Sequence, residues 1–178
     1  MKLLKTFRAD PSDTFVFHRA ADPGEWAVSG AFMFAHSDPA TLARKARAAF
    51  RGGFLGIRSF GWSTLARIVE ANDEDRAAAV EQLAARLVEH CGAPDLPAAR
   101  PAAEEEIAFA ESLCNHPAGR LIAVSRRHER GATHEAFRTV QTTAPLVPKS
   151  AFTFITVADE ETPAEPDIPS VPPGGGHR

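Results

Sequence analysis

The sequence predicts an α+β domain of two layers: a mostly antiparallel sheet with helices packed on one face. Three observations predict it. In the first third, short β-type runs are joined by turn signals such as "ADPGE" (21–25) rather than by helices. Two long helical stripes fall together in the middle of the chain, separated by the Pro-broken "APDLPAARP" (93–101). A last pair of alternating runs brackets "ERGA" (129–132), a hairpin signal. The element order read from these is β-β-β-α-β-α-α-β-β.

Taken in order, "LLKTFRA" (3–9) reads as the first strand, ended by the turn-rich "DPSD". "TFVFHRA" (14–20) and "WAVSGAFMF" (26–34) read as a hairpin over 14–34, with Trp26, Val28, Gly30, Phe32 and Phe34 on one face. "SDPATLARKARAAFRGG" opens a helix with Asp38 as N-cap and Pro39 at N1. Leu42, Ala46, Ala49 and Phe50 share its inner face, and Gly52 or Gly53 is placed to take a left-handed conformation at its end. A strand is expected over Ile57 to Ala71. The next helix begins at Asn72 with three acids in its first turn, presents Val80, Leu83, Ala84, Leu87 and Val88, and stops at Gly92. A third helix is expected to start at Pro101, with Ile107, Ala110, Leu113 and Cys114 inward. Strands 120–128 and 133–141 close the domain, whose expected extent is 1–141.

Residues 142–178 differ in kind. Seven of the 14 prolines fall there, and the charge is uneven: five acids (Asp159, Glu160, Glu161, Glu165, Asp167) against Lys149 and Arg178 carry the whole net charge of −3, leaving the body balanced. Such composition argues against a packed core. One run departs from it, "AFTFITVA" (151–158), and its Phe152, Phe154 and Ile155 are candidates for docking, on the protein's own sheet or on a partner.

Composition excludes several functions. With 178 residues, 44% hydrophobic and 24% charged, the chain is an ordinary globular one. No apolar run nears the roughly 18 residues of a membrane span, and Lys5 and Arg8 interrupt any apolar leader in "MKLLKTFRAD". The expected location is cytoplasmic, with Cys91 and Cys114 reduced. A balanced body offers no electrostatic attraction to nucleic acid or to a membrane surface.

The glycine-rich "RGGFLGIRSFGW" (51–62) invites a phosphate-loop reading, which its context denies. A phosphate loop follows a strand and opens a helix, whereas here a helix precedes and a strand follows, and the spacing fits neither nucleotide motif. Gly56 and Gly61 are read instead as points of bend or close backbone approach, with Phe54, Phe60 and Trp62 in the core. "GWSTL" (61–65) lacks the second glycine of a nucleophile elbow, because Leu65 occupies that position.

His90, Cys91, Cys114 and His116 are the nearest thing to a zinc set. Their spacing departs from usual metal motifs, and both cysteines are read as small core residues. No cofactor site is read. The remaining candidate is basic: Arg44, Arg47 and Arg51 share a stripe of the first helix, with Arg58 beyond it, a set suited to carboxylate or phosphate. The other reading of this stripe is a solvated helix face. His128 and His134 could face each other across the last hairpin. The excess of Arg over Lys, 16 to 4, is read as coding bias.

With "DPSDTFVFHRAADPGEWAVSGAF", "GFLGIRSFGWSTL" and "AAEEEIAFAESLCNHPAG", the chain resembles a family of small bacterial proteins of unknown function over about residues 1–141. The resemblance implies no activity and no catalytic residues. It does imply association with machinery for cofactor-dependent oxidoreductases, which no residue in these stretches supports. The function expected is that of a non-enzymatic accessory or adaptor protein that contacts another protein. The rival expectation is a small enzyme or anionic-ligand binder with a pocket between sheet and helices.

Overall fold

The computed structural model describes residues 1–141. The α+β expectation holds: a seven-stranded antiparallel sheet carries four helices, in the order β1 (Lys2–Phe7), α1 (Asp13–Val16), β2 (Trp26–Val28), α2 (Arg44–Gly52), β3 (Phe54–Gly56), β4 (Trp62–Ser63), β5 (Leu65–Glu70), α3 (Asp73–Cys91), α4 (Leu96–Ser112), β6 (Leu121–Glu129) and β7 (Ala132–Val140). Within the sheet the order is β4-β3-β2-β1-β5-β6-β7.

This order makes the sheet curl. Only Thr64 separates β4 from β5, yet β4 pairs with β3 while β5 pairs with β1, on the far side of β2. One bent segment therefore ties together two strands that are not neighbours. The bend exposes backbone groups that need partners. Ser63 Oγ donates to the Phe7 and Leu65 carbonyls, and the buried Asp13 carboxylate accepts from the Thr64 hydroxyl at 2.5 Å and from its N–H. The expected strand over 57–71 is thus two strands after a loop.

Cross-strand partners share a face. Leu4, Ala27, Ala66, Ile68 and Ile122 lie on one side of the sheet by register, and all are buried. They join a core that includes Leu83, Ala103, Ile107 and Ala110 of the two long helices. A smaller cluster of Leu65, Leu121 and Val140, with Phe7 and Ala123 against it, forms on the other side. The curl brings Phe54 of β3 within 6.2 Å of Phe137 of β7, ring to ring.

Helix α3 starts and stops as expected. Asn72 and Asp75 form a reciprocal capping box, and Gly92 ends the helix at φ 76°. Helix α4 departs from expectation. It starts at Leu96, not Pro101, because Asp95 caps it by accepting from the Ala98 N–H and Pro97 is tolerated in the first turn. Pro101 lies inside, at the cost of one backbone bond.

The expected hairpin over 14–34 is not formed. Residues 13–16 make one helical turn, β2 keeps only three residues, and Ala31–Phe34 turn as a 3₁₀ segment. What replaces the ladder is side-chain bonding. Buried Glu25 accepts from the N–H groups of Asp22 and Ser59 and from the Ser59 hydroxyl, so it holds the 22–25 turn against the 57–61 loop. Asp38 does cap Pro39–Thr41, but as a 3₁₀ turn. Leu42 and Ala43 are extended, and the α-helix begins only at Arg44.

The glycines are packing residues. Gly53 is extended, at φ −103°, so the expected left-handed cap is absent; a Cβ there would lie 2.8 Å from the Trp62 ring. At Gly61 a Cβ would lie 2.7 Å from the Ala20 backbone. Phe54 and Phe60 are buried and Trp62 is half-buried against the core, as read from the sequence.

Candidate functional site

The last hairpin and α2 build the candidate site together. Arg130 (φ 53°) and Gly131 (φ 77°) make a two-residue turn between β6 and β7, of the twist that antiparallel strands favour. Its register pairs Arg126 with Glu135 and puts Arg126 on the side that carries Ile122 and Val124, facing inward.

Arg126 is 2% exposed and its bonds are extensive. Its Nε donates to Glu135 Oε1 at 2.7 Å, and its Nη1 donates to the carbonyls of Phe50 at 3.1 Å and Gly53 at 2.8 Å, at the end of α2. Its Nη2 donates to the Ser29 carbonyl and hydroxyl oxygens, and Ser29 Oγ in turn donates to Glu135 Oε1 at 2.5 Å. One guanidinium thus ties β6, β7, the end of β2 and the C-terminus of α2, where a cation is favoured. Burial pulls its pKa down, opposed mainly by the Glu135 hydrogen bond.

Beside this clamp on α4 sits Glu106, half-buried. Burial, with help from the charges of Glu135 and Glu105, raises its carboxyl from the usual 4.5 to about 7; Arg126 opposes the rise.

Outside the clamp lies a groove of about 450 Å³, lined by Asp38, Pro39, Ala40, Arg47, Phe50, Arg51 and residues 126–129. Arg47 donates to the carbonyls of Ala40 and Leu42, which fixes its head at the rim. Arg51 and Arg127 are exposed, and Arg127 stands 3.8 Å from Glu129. His128 Nδ1 is 3.3 Å from the Thr133 hydroxyl. With Arg126 paired to Glu135, the guanidinium groups of Arg47, Arg51 and Arg127 face the carboxylates of Asp38 and Glu129, so the groove carries a positive excess that suits an anionic group.

Two of the four arginines singled out in the sequence meet here, Arg47 and Arg51. Arg44 is exposed in the first turn of α2 and is not part of the lining, and Arg58 pairs with Asp22 at 3.2 Å on another loop. Arg126, Arg127 and Glu135 were missed. The signal for Arg126 was present: on an alternating strand it falls at an inward position, where a bare charge requires a partner.

His90, Cys91, Cys114 and His116 are not brought together. His90 stacks on Phe60 at 4.7 Å, and Cys91 is exposed at the end of α3 with its Sγ 3.8 Å from Met33 Sδ, which corrects its reading as a core residue. Cys114 is buried as expected. Its thiol lies against the Ala110 carbonyl, and burial pushes its pKa to about 11. Among the described residues no group of three or more His, Cys, Asp or Glu is placed to hold a metal ion. His128 and His134 do not face each other either: the register pairs them with Thr133 and Arg127. Phe152, Phe154 and Ile155 lie outside the described residues.

This is a single curled α+β body with a basic groove at one hairpin, and no helix among the described residues is long and apolar enough to cross a membrane. The chain belongs to a family of unknown function, DUF6505, whose model matches residues 1–156. No curated protein and no solved structure matches it.

Proposed function

We propose that the protein is a non-enzymatic accessory protein that docks an acidic segment of a partner protein in the groove between α2 and the β6–β7 hairpin. The observation that carries this reading is the gathering of Arg47, Arg51 and Arg127 around one groove, on a base set by the buried Arg126 clamp. A guanidinium fork suits carboxylates, and side chains mounted on a fixed base lose less entropy on binding than free ones. A second reading has support in Phe50, which gives the groove an apolar wall: a small anionic ligand held by the same groups.

A fluorescent hexaglutamate peptide, titrated at low salt and followed by anisotropy, tests the proposal. Replacing Arg47 and Arg51 together by alanine is expected to weaken binding about tenfold, with two charge-assisted contacts at roughly 0.5–1 kcal/mol each. Arg44→Ala and Arg58→Ala should leave it unchanged. Equal affinity in all variants refutes the proposal. Displacement of the peptide by millimolar inorganic phosphate or citrate moves the assignment to the small ligand.

A further inference from the structure

The balance of charge over the body conceals a division. Residues 73–112, which span α3 and α4, carry ten acids against three bases, whereas the rest of the described chain carries fifteen bases against eight acids. Each of the three helix bases is taken by an acid of the same two helices: Arg76 by Glu111 at 3.5 Å, Arg86 by Glu89 at 2.5 Å and Arg100 by Glu81 at 2.6 Å. Among the described residues no ion pair joins this layer to the remainder of the molecule. Glu104 and Glu105 of α4 stand exposed on it, each without an ion pair to another described residue. The helix around them is flat, because the exposed neighbours Ala102 and Ala108 are small. Phe109, one turn on from Glu105 and 39% exposed, adds an apolar group to the same face.

We infer that the chain associates with itself head to tail: Glu104 and Glu105 on α4 of one copy enter the groove between α2 and the β6–β7 hairpin of the next, against Arg47, Arg51 and Arg127. The inference rests on the proposed reading of the groove as a carboxylate site and supplies that site with an occupant. Three features support it. Charge is complementary, since two exposed carboxylates meet three guanidinium groups, of which Arg127 holds its own Glu129 only at 3.8 Å. Apolar groups match as well: Phe109 accompanies the acids, and Pro39 and Phe50 wall the groove. The two surfaces belong to different elements and do not pair within one copy, where no ion pair joins Glu104 or Glu105 to a groove arginine. Because the surfaces differ, the contact is heterologous, and each added copy leaves one groove and one acidic face open for the next. Exposed charges make a weak, salt-sensitive joint, so the assembly belongs to high protein concentration and low salt.

Sedimentation velocity of the full chain over a range of protein concentrations, at low salt and again at about 0.5 M salt, tests the inference. The weight-average sedimentation coefficient is expected to climb with concentration at low salt and to stay at the monomer value at high salt. The Glu104→Gln, Glu105→Gln variant and the Arg47→Ala, Arg51→Ala variant should each weaken the association about tenfold. Mixed in equal amounts, they should form a heterodimer and nothing larger, because the first keeps its groove and the second its acidic face. Recovery on mixing also shows that both variants are folded. Asp159→Asn, Glu160→Gln, Glu161→Gln, at acids outside the described residues, should leave the association as it is. A monomer at every concentration overturns the inference. So does a mixture that stays monomeric, association that persists in the Arg47, Arg51 variant, or association lost in the Asp159, Glu160, Glu161 variant. Hexaglutamate bound by a chain that stays monomeric removes the second copy and keeps the carboxylate site, so this inference and the proposed function fail separately.

Discussion

Replacing Arg126 by methionine keeps most of the side chain's aliphatic volume and removes its charge and all its donors. Glu135, whose side chain is 17% exposed, would lose its cation, and the carbonyls of Ser29, Phe50 and Gly53 would lose a donor. Breaking a buried pair by removing one partner costs about 3–5 kcal/mol, because the other charge stays desolvated. Ser29 Oγ still donates to Glu135, which holds the estimate to that range rather than above it. For a chain of this size each kcal/mol moves the melting temperature roughly 2–4 °C, so a fall of about 6–20 °C is expected. Circular dichroism during thermal and urea unfolding measures it, and an unchanged urea slope would show that the denatured state is not the cause. Arg127→Met, one position along on an exposed site, should stay within about 0.5 kcal/mol of the unmodified protein. Arg126→Lys should recover only part of the loss, since a single ammonium cannot reach around the same set of acceptors. A loss below about 1 kcal/mol in Arg126→Met would refute the claim that this guanidinium holds the hairpin to α2.

Glu106 gives a pH signature of definite sign. Its folded pKa of about 7 lies above the ordinary 4.5, so between these values the folded state binds more protons and stability falls as pH rises. Discounted for its partial exposure, the effect is about 1–2 kcal/mol, and Glu106→Gln should be more stable than the unmodified protein at pH 8 and equal to it at pH 4. Parallel urea curves across pH would remove Glu106 from this account. Gly61→Ala forces a Cβ to 2.7 Å from the Ala20 backbone, and its separation should also weaken the 2.8 Å bonds of Trp62 to Arg19 and Ala21, at a cost of about 1–3 kcal/mol. Gly52→Ala has 3.6 Å of room inside α2 and should be neutral or stabilising by up to about 1 kcal/mol. Equal melting temperatures for these two variants would contradict the packing role given to Gly61.

What could be read from the sequence was local. The start of α3 at Asn72, its stripe, its stop at Gly92 and the hairpin at "ERGA" each depend on neighbours within a few residues, and each is found as read. The region 14–34 went wrong because its stabilising groups are distant: Asp13 bonds to Thr64, and Glu25 to Ser59. No pattern of period two or 3.6 announces such pairs. The start of α4 was misplaced because Pro97 looked like a break and Pro101 like a helix start, whereas Pro97 stands in the first turn and Pro101 costs a single bond that packing of Ala99, Ala103 and Ile107 offsets. In the site, Arg47 and Arg51 were legible as a helical stripe. Their meeting with Arg127 and His128 was not, since it follows from the curl of the sheet at Thr64.

That curl also sets what the groove can do. Helix α2 has nine residues and no side-chain N-cap, so it depends on what holds its far end, and Arg126 supplies that hold through the last carbonyls. The same residue sits on β6, next to Arg127 and His128. The spacing between the helix arginines and the hairpin bases is therefore fixed by one buried ion pair rather than by the exposed side chains themselves. An acidic ligand would meet cations already held in register, and a change at Ser29, which bonds to both Arg126 and Glu135, would reach the groove through the clamp without touching the ligand. This coupling separates a built site from a scatter of surface arginines: Ser29→Ala, which removes a hydroxyl contact of the Arg126 clamp without changing any charge, should weaken hexaglutamate binding, whereas Arg44→Ala, on the same helix as Arg47 and Arg51, should not.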